Sequence, residues 1–254
     1  MASSAQTRRS RREQLEAQRR AAIAKDRRNK ILLAAGAAVV VVLVVVIALW
    51  GWLGSQSPAV TGGTVVPPSA NADKNGIALA AHVDGAPTLD IWMDYNCTHC
   101  KAAELTLAGV FAEATSQGKV NIVIHPLSAV GATSGDAANA AACADVQGRF
   151  ADYHNQLYID QPTDGSGFTA DMLRTTIPGQ ISLTGDALSK FQACVDNNDT
   201  GQFVAGIQTY AGKHNIVNSP TFLMDGKDVG AQIWNTTTGA FDADLLRTLL
   251  GLTA

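Results

Sequence analysis

The residues best suited to covalent chemistry are two cysteines two residues apart, in Cys97-Thr98-His99-Cys100. A disulfide closed across such a short loop exchanges readily with other thiols. The thiolate is the nucleophile, and its surroundings set its pKa. Where a strand ends and a helix begins, the first sulfur meets unpaired backbone N–H groups and the positive end of the helix dipole. His99 lies inside the loop, and an imidazolium there depresses the thiol pKa further. One unit of such depression is about 1.4 kcal/mol, or about 30 mV for a two-electron couple. A stabilised thiolate therefore favours a donor disulfide over a reductant. Two readings compete with redox chemistry. Half of a zinc site would need a second such pair, or two histidines at short spacing. An inert disulfide at 97–100 would close too short a loop to constrain much chain.

Three further sets of residues bear on this chemistry. Ser219-Pro220-Thr221 stands at the start of an apolar strand. A cis bond there would expose the Ser219 backbone to an extended substrate, and a trans proline at a strand's first residue is the alternative. Asp94, three residues before Cys97, is a proton acceptor for a buried thiol or a strand-end residue satisfied by backbone. Four cysteines allow three pairings. If Cys97 pairs with Cys100, then Cys143 and Cys194 remain for each other, as a structural staple or as a second pair that shuttles electrons.

The elements that position these residues follow from pattern. Thr88–Tyr95 is a short apolar run that reads as a buried strand, and Lys101–Ser116 a helix with Leu107, Val110, Phe111 and Ala114 on one face. Val120–His125 reads as a second strand that Pro126 ends. Between about 132 and 198 the pieces look helical: Asp136–Val146, Phe150–Tyr158, and Asp186–Val195 after a Pro-Gly break. A helix over about Thr200–His214 follows, then the strand Thr221–Met224, a turn at Asp225-Gly226, a return strand near Asp228–Trp234 and a last helix Phe241–Leu250. Strands and helices in this order predict an α/β layered domain over 76–254.

Charge divides the chain. Residues 1–30 carry ten Lys/Arg against three acids, and the remainder nine against nineteen. An acidic main domain excludes nucleic acid as the partner, because phosphate binding needs concentrated positive charge. Residues 31–53 contain no charge and match the thickness of a bilayer's hydrocarbon core, with Trp50 and Trp52 at the far end. The block is too long for a cleavable signal peptide and lacks an adjoining A-x-A-like site. It reads as a transmembrane anchor. The basic tail before it keeps residues 1–30 in the cytoplasm and sends the rest across, into a compartment that permits disulfides. Residues 54–75, rich in Ser, Gly, Pro and Thr, read as a flexible linker.

Met93-Asp94-Tyr95-Asn96-Cys97-Thr98-His99-Cys100, the helical insertion, and Ile216-Val217-Asn218-Ser219-Pro220-Thr221-Phe222-Leu223-Met224-Asp225-Gly226 together resemble the DsbA-like branch of the thioredoxin superfamily. With the anchor, and with Cys143 and Cys194 in the insertion, the chain is most similar to the membrane-tethered DsbA-like proteins of actinobacteria. The resemblance implies a thioredoxin-like fold with an inserted helical subdomain, preceded by one transmembrane helix. It implies a nucleophilic Cys97, a buried Cys100 and a cis Pro220, with no metal or cofactor. It also implies unfolded exported proteins as substrates and re-oxidation by a quinone-coupled membrane protein of the DsbB or VKOR type. Many members carry Pro after the first cysteine where this chain has Thr98, and residues at that place tune the potential. No dimerisation domain stands out, so a monomer is expected. An isomerase, or a reductase feeding a dedicated partner, is the rival within redox chemistry. A chaperone-like binding module with structural cysteines is the rival outside it.

Overall fold

The computed structural model describes residues 62–252. The basic tail, the apolar span 31–53 and the first part of the expected linker lie outside the described residues. Among the described residues no helix is long and apolar enough to cross a membrane.

A five-stranded mixed sheet organises the domain. Its strands are β1 (Ile77–Ala78), β2 (Thr88–Asp94), β3 (Asn121–Leu127), β4 (Thr221–Met224) and β5 (Lys227–Asp228), in the order β1-β3-β2-β4-β5. β2 and β3 run parallel, joined by the helix α1 (Thr98–Ser116), and the other pairs are antiparallel. The central strand β2 is covered on both faces. Leu89, Ile91 and Met93 are buried on one, Trp92 and Asp94 on the other. That is why its sequence reads as a near-continuous apolar run.

The insertion comprises α2 (Ser134–Val146), α3 (Phe150–Asp160), a π-helical turn at Met172–Thr176, α4 (Ile177–Gln180) and α5 (Gly185–Asp196). α2 is alanine-rich and buried almost throughout, so α3, α5 and α6 (Gly201–Lys213) pack closely around it. A disulfide between Cys143 and Cys194 joins α2 to α5. The chain closes with a small hairpin, β6 (Trp234–Asn235) and β7 (Ala240–Phe241), and with α7 (Ala243–Leu249), which packs on α1. The Asp242 carboxylate caps α7 by accepting from the N–H groups of Asp244 and Leu245.

Four expectations need correction. Pro126 does not end the second strand. It lies inside β3 opposite Met93, past the point where β1 stops, so β3 has a strand neighbour on one side only, as strand prolines require. Pro178-Gly179 is not a break. Pro178 occupies the first turn of α4, where its missing N–H costs no helical bond. The return strand ends at Asp228, because residues 230–232 curl into a 3₁₀ turn held by Asp228 Oδ1. The later part of the expected linker lies against the domain: Gly63 and Val65 donate to the Asn198 and Asp199 carbonyls, and Ser69 N donates to Asp145.

Candidate active site

β2 ends at Asp94, and two residues later Cys97 is the N-cap of α1, in extended conformation. The Cys97 N–H donates to the Asp94 carbonyl at 3.0 Å, while the Cys97 carbonyl accepts the first helical bond from Lys101. The sulfur is thereby turned onto the helix N-terminus, where it accepts from the Cys100 N–H at 3.4 Å. Both cysteines are free thiols, Cys97 7% exposed and Cys100 fully buried.

Ser219 faces both sulfurs from the other end of the domain's sequence. Its carbonyl accepts from the Cys97 thiol at 3.3 Å, and its hydroxyl lies 2.9 Å from Cys100 Sγ. The Ser219–Pro220 bond is cis. The expected residues Cys97, Cys100, Ser219 and Pro220 thus come together.

The two thiols are driven apart. Cys97 is lowered to about 6, first by the hydrogen bond from the Cys100 thiol, then by the backbone N–H groups of Cys100 and His99 and by Ser219, against the opposing effect of burial. Burial pushes Cys100 far up, and its hydrogen bond and charge interaction with Cys97 push it further. A sulfur of lowered pKa beside a fully buried one of raised pKa has the asymmetry that an attacking and a resolving thiol require. Reduced protein titrated by thiolate absorbance, or by alkylation rate at limiting reagent, should show one group at about 6. A first titration near about 8.5 would contradict this geometry.

Two expected contributions take a different form. The His99 side chain is exposed, and its backbone N–H is what acts on the sulfur. Thr98 and His99 form the start of α1, where the free N–H groups face the N-cap sulfur and the side chains point outward. The Asp94 carboxylate is buried and saturated. Oδ1 accepts from Asn96 N (2.8 Å) and Ser134 Oγ (2.7 Å), and Oδ2 accepts from Ala129 N (2.8 Å) and Val130 N (2.9 Å). Its lone pairs are occupied, so it braces the end of β2 against the loop before α2.

Sequence reasoning missed the residues that tie α3 to the site. Gln161 Nε2 donates to the carbonyls of Tyr95 and Cys97, the latter at 3.1 Å. Lys101 Nζ donates to the carbonyls of Ile159 and Gln161 at 3.3 and 3.0 Å. Cys143 and Cys194 form their own disulfide, which removes them from any metal set. Among the described residues no group of three His, Cys, Asp or Glu side chains is placed to hold a metal ion.

The sequence profile of the thioredoxin family matches residues 82–243. No curated protein matches the sequence. Among solved structures, the MdbA thiol-disulfide oxidoreductase of Actinomyces oris superposes with a TM-score of 0.60 at 20% identity, over 77% of this chain and 100% of its own. Corynebacterium diphtheriae MdbA gives 0.54 at 19% identity, over 69% and 94%. Oxidised BdbD of Bacillus subtilis gives 0.55 at 20%, over 72% and 95%. Similarity at this level of identity establishes a shared fold.

Proposed function

The chain belongs to the thioredoxin family, and from that premise we propose that it is a DsbA-type thiol–disulfide oxidoreductase in which Cys97 exchanges and Cys100 resolves. The supporting observation is the asymmetry of the pair, one sulfur held at about 6 and its neighbour pushed far up. A substrate thiolate attacks Cys97 Sγ of the oxidised pair. The 97–100 bond breaks, and its electrons leave on Cys100, which takes up a proton. The substrate's second thiolate then attacks its own sulfur in the mixed disulfide, and Cys97 departs as a stable thiolate. Two electrons pass to the enzyme, and the substrate leaves with a disulfide.

A stabilised Cys97 thiolate favours the reduced enzyme, so the oxidised form is the better donor. The substrates we propose are exported, unfolded proteins. The basic tail and the apolar span 31–53 support an anchored domain outside the cytoplasm. Re-oxidation falls to a quinone-coupled membrane protein of the DsbB or VKOR type. Equilibration of the full-length chain in detergent with glutathione tests the direction. A potential near about -120 mV fits the oxidant, and one near about -270 mV assigns a reductant.

The pH dependence has a definite sign. Below about 6 both thiols of the reduced protein are protonated, and above it Cys97 is not. The potential should fall with pH by about 59 mV per unit below that break and by about 30 mV above it, one proton fewer being bound. Because the folded thiol is depressed, its contribution to the stability of the reduced form is complete above the unfolded value of about 8.5. That contribution is lost as pH falls through about 6. A single slope across the range would remove the thiolate from the account.

A further inference from the structure

With Asp94 saturated, the proton that Cys100 gains and loses needs another source. Glu104 lies four residues after Cys100, on the same face of α1, in the buried stripe formed by Cys100, Ala103, Leu107, Val110, Phe111 and Ala114. It is 2% exposed. Its Oε2 stands 3.3 Å from Nε2 of His154 on α3, a fully buried histidine, and no well-directed hydrogen bond satisfies either atom. His154 Nδ1 is 2.9 Å from the Tyr95 hydroxyl. The Tyr158 hydroxyl, one turn along α3 from His154, is buried without a partner. Titratable groups converge here from three elements: Cys97 and Cys100 of α1, Asp94 and Tyr95 at the end of β2, and Tyr153, His154 and Tyr158 of α3.

The contrast with Asp94 carries the argument. A buried carboxylate kept for structure is saturated with donors, as Asp94 is. Glu104 Oε2 and His154 Nε2, buried 3.3 Å apart with no well-directed hydrogen bond, carry a cost that a purely structural role does not explain. Burial pushes the Tyr95 phenol well up, and the Glu104 charge adds to this. Burial does the same to Tyr158, followed by the charges of Cys100, Tyr95, Glu104 and Asp94. The phenols therefore keep their protons, and the charges of Cys100 and Glu104 both reach Tyr158.

Building on the oxidoreductase reading, we propose that Glu104 and His154 jointly hold the proton that Cys100 takes up when the Cys97–Cys100 disulfide opens, and receive it back when the disulfide re-forms. In the oxidised enzyme the pair carries one transferable proton. The substrate thiolate attacks Cys97, the S–S electrons go to Cys100, and the proton passes from the pair to Cys100 Sγ. Tyr95 is a positioning residue. Its hydroxyl is hydrogen bonded to His154 Nδ1 at 2.9 Å and so directs Nε2 at Glu104.

The test is stopped-flow reduction of the oxidised full-length chain in detergent by dithiothreitol, from pH 5 to pH 9, for wild type, Glu104→Gln and Glu104→Asp. Glu104→Gln should slow opening by about a hundredfold, the scale of general acid catalysis, and flatten the pH profile. The Cys97 titration should stay at about 6. Glu104→Asp keeps the acid and should recover most of the rate. A loss under about tenfold with the pH profile intact overturns the proposal. A second measurement uses folded wild type alone. The sequence has only four glutamates, Glu13, Glu16, Glu104 and Glu113, and five histidines. With glutamate carboxyl carbons and histidine ring nitrogens labelled, Glu104 or His154 should change protonation between oxidised and reduced protein at one pH. If neither resonance moves, the relay is wrong. Wild type that does not react with dithiothreitol at all overturns the oxidoreductase reading itself, a different outcome from equal rates in wild type and variant.

Discussion

Cys97→Ser is expected to abolish disulfide exchange, to the uncatalysed background, while Cys100→Ala should keep a reactive sulfur that forms a mixed disulfide and cannot release it. The two variants should differ because the two sulfurs stand in different surroundings. Cys97 is the sulfur at the helix N-terminus with a path to solvent, and Cys100 lies wholly behind it. Serine at 97 keeps the cap but not the nucleophile, since a hydroxyl does not ionise in the working range. Alanine at 100 removes the strongest influence that lowers Cys97, the hydrogen bond from the Cys100 thiol. The Cys97 titration should therefore move up from about 6. It should stop short of the free value near about 8.5, because the N–H groups of residues 99 and 100 remain. Mass spectrometry of the adduct with a dithiol peptide and the thiolate titration check both parts. Ready exchange by Cys97→Ser, or no adduct with Cys100→Ala, would return the cysteines to a structural role and favour the binding-module reading.

The parts of the site that were legible in the sequence are local ones. Spacing placed Cys97 and Cys100 at a strand–helix junction, and the turn chemistry of Asp225-Gly226 was visible because both residues adopt positive φ between paired strands. Glu104 was half visible. The face read from Leu107, Val110, Phe111 and Ala114, continued backward, arrives at Glu104 after about one turn and at Cys100 after about two. An acid on an apolar stripe is the signal that went unused. Its partner was not legible, since nothing local in α3 says that His154 will meet α1; that contact depends on how the insertion docks. The Asp94 network is hidden for the same reason. Its donors come from residues 96, 129, 130 and 134, and only the packed fold assembles them. Short edge strands such as β1 are set by pairing with β3 rather than by any period of their own.

The largest effect on stability should come from the second cysteine pair. The double variant Cys143→Ala/Cys194→Ala opens a loop of 51 residues between α2 and α5, which in the chain-entropy account costs roughly 4 kcal/mol. Both sulfurs are buried, Cys143 completely, on a helix that α3, α5 and α6 enclose. Alanine fits the surrounding alanine-rich face of α2 without a new polar group, so the loss is expected to register as a lower denaturant midpoint with the fold retained. The same variant separates the two roles open to this pair. A staple leaves the rate of exchange at Cys97 unchanged at temperatures where the protein stays folded. An electron shuttle needs the 143–194 bond to open in each cycle, so its removal would halt turnover after the first substrate. Cys143 has no exposure through which a second thiol could reach it. Its neighbours are Asn139 and Thr200, themselves hydrogen bonded to each other at 2.6 Å. Opening the bond for exchange would require α2 and α5 to separate, and that is the packing the disulfide fastens. Intact multiple turnover in a destabilised variant is therefore the expected result, and turnover stalled at one equivalent in a folded variant would assign the pair to the redox cycle.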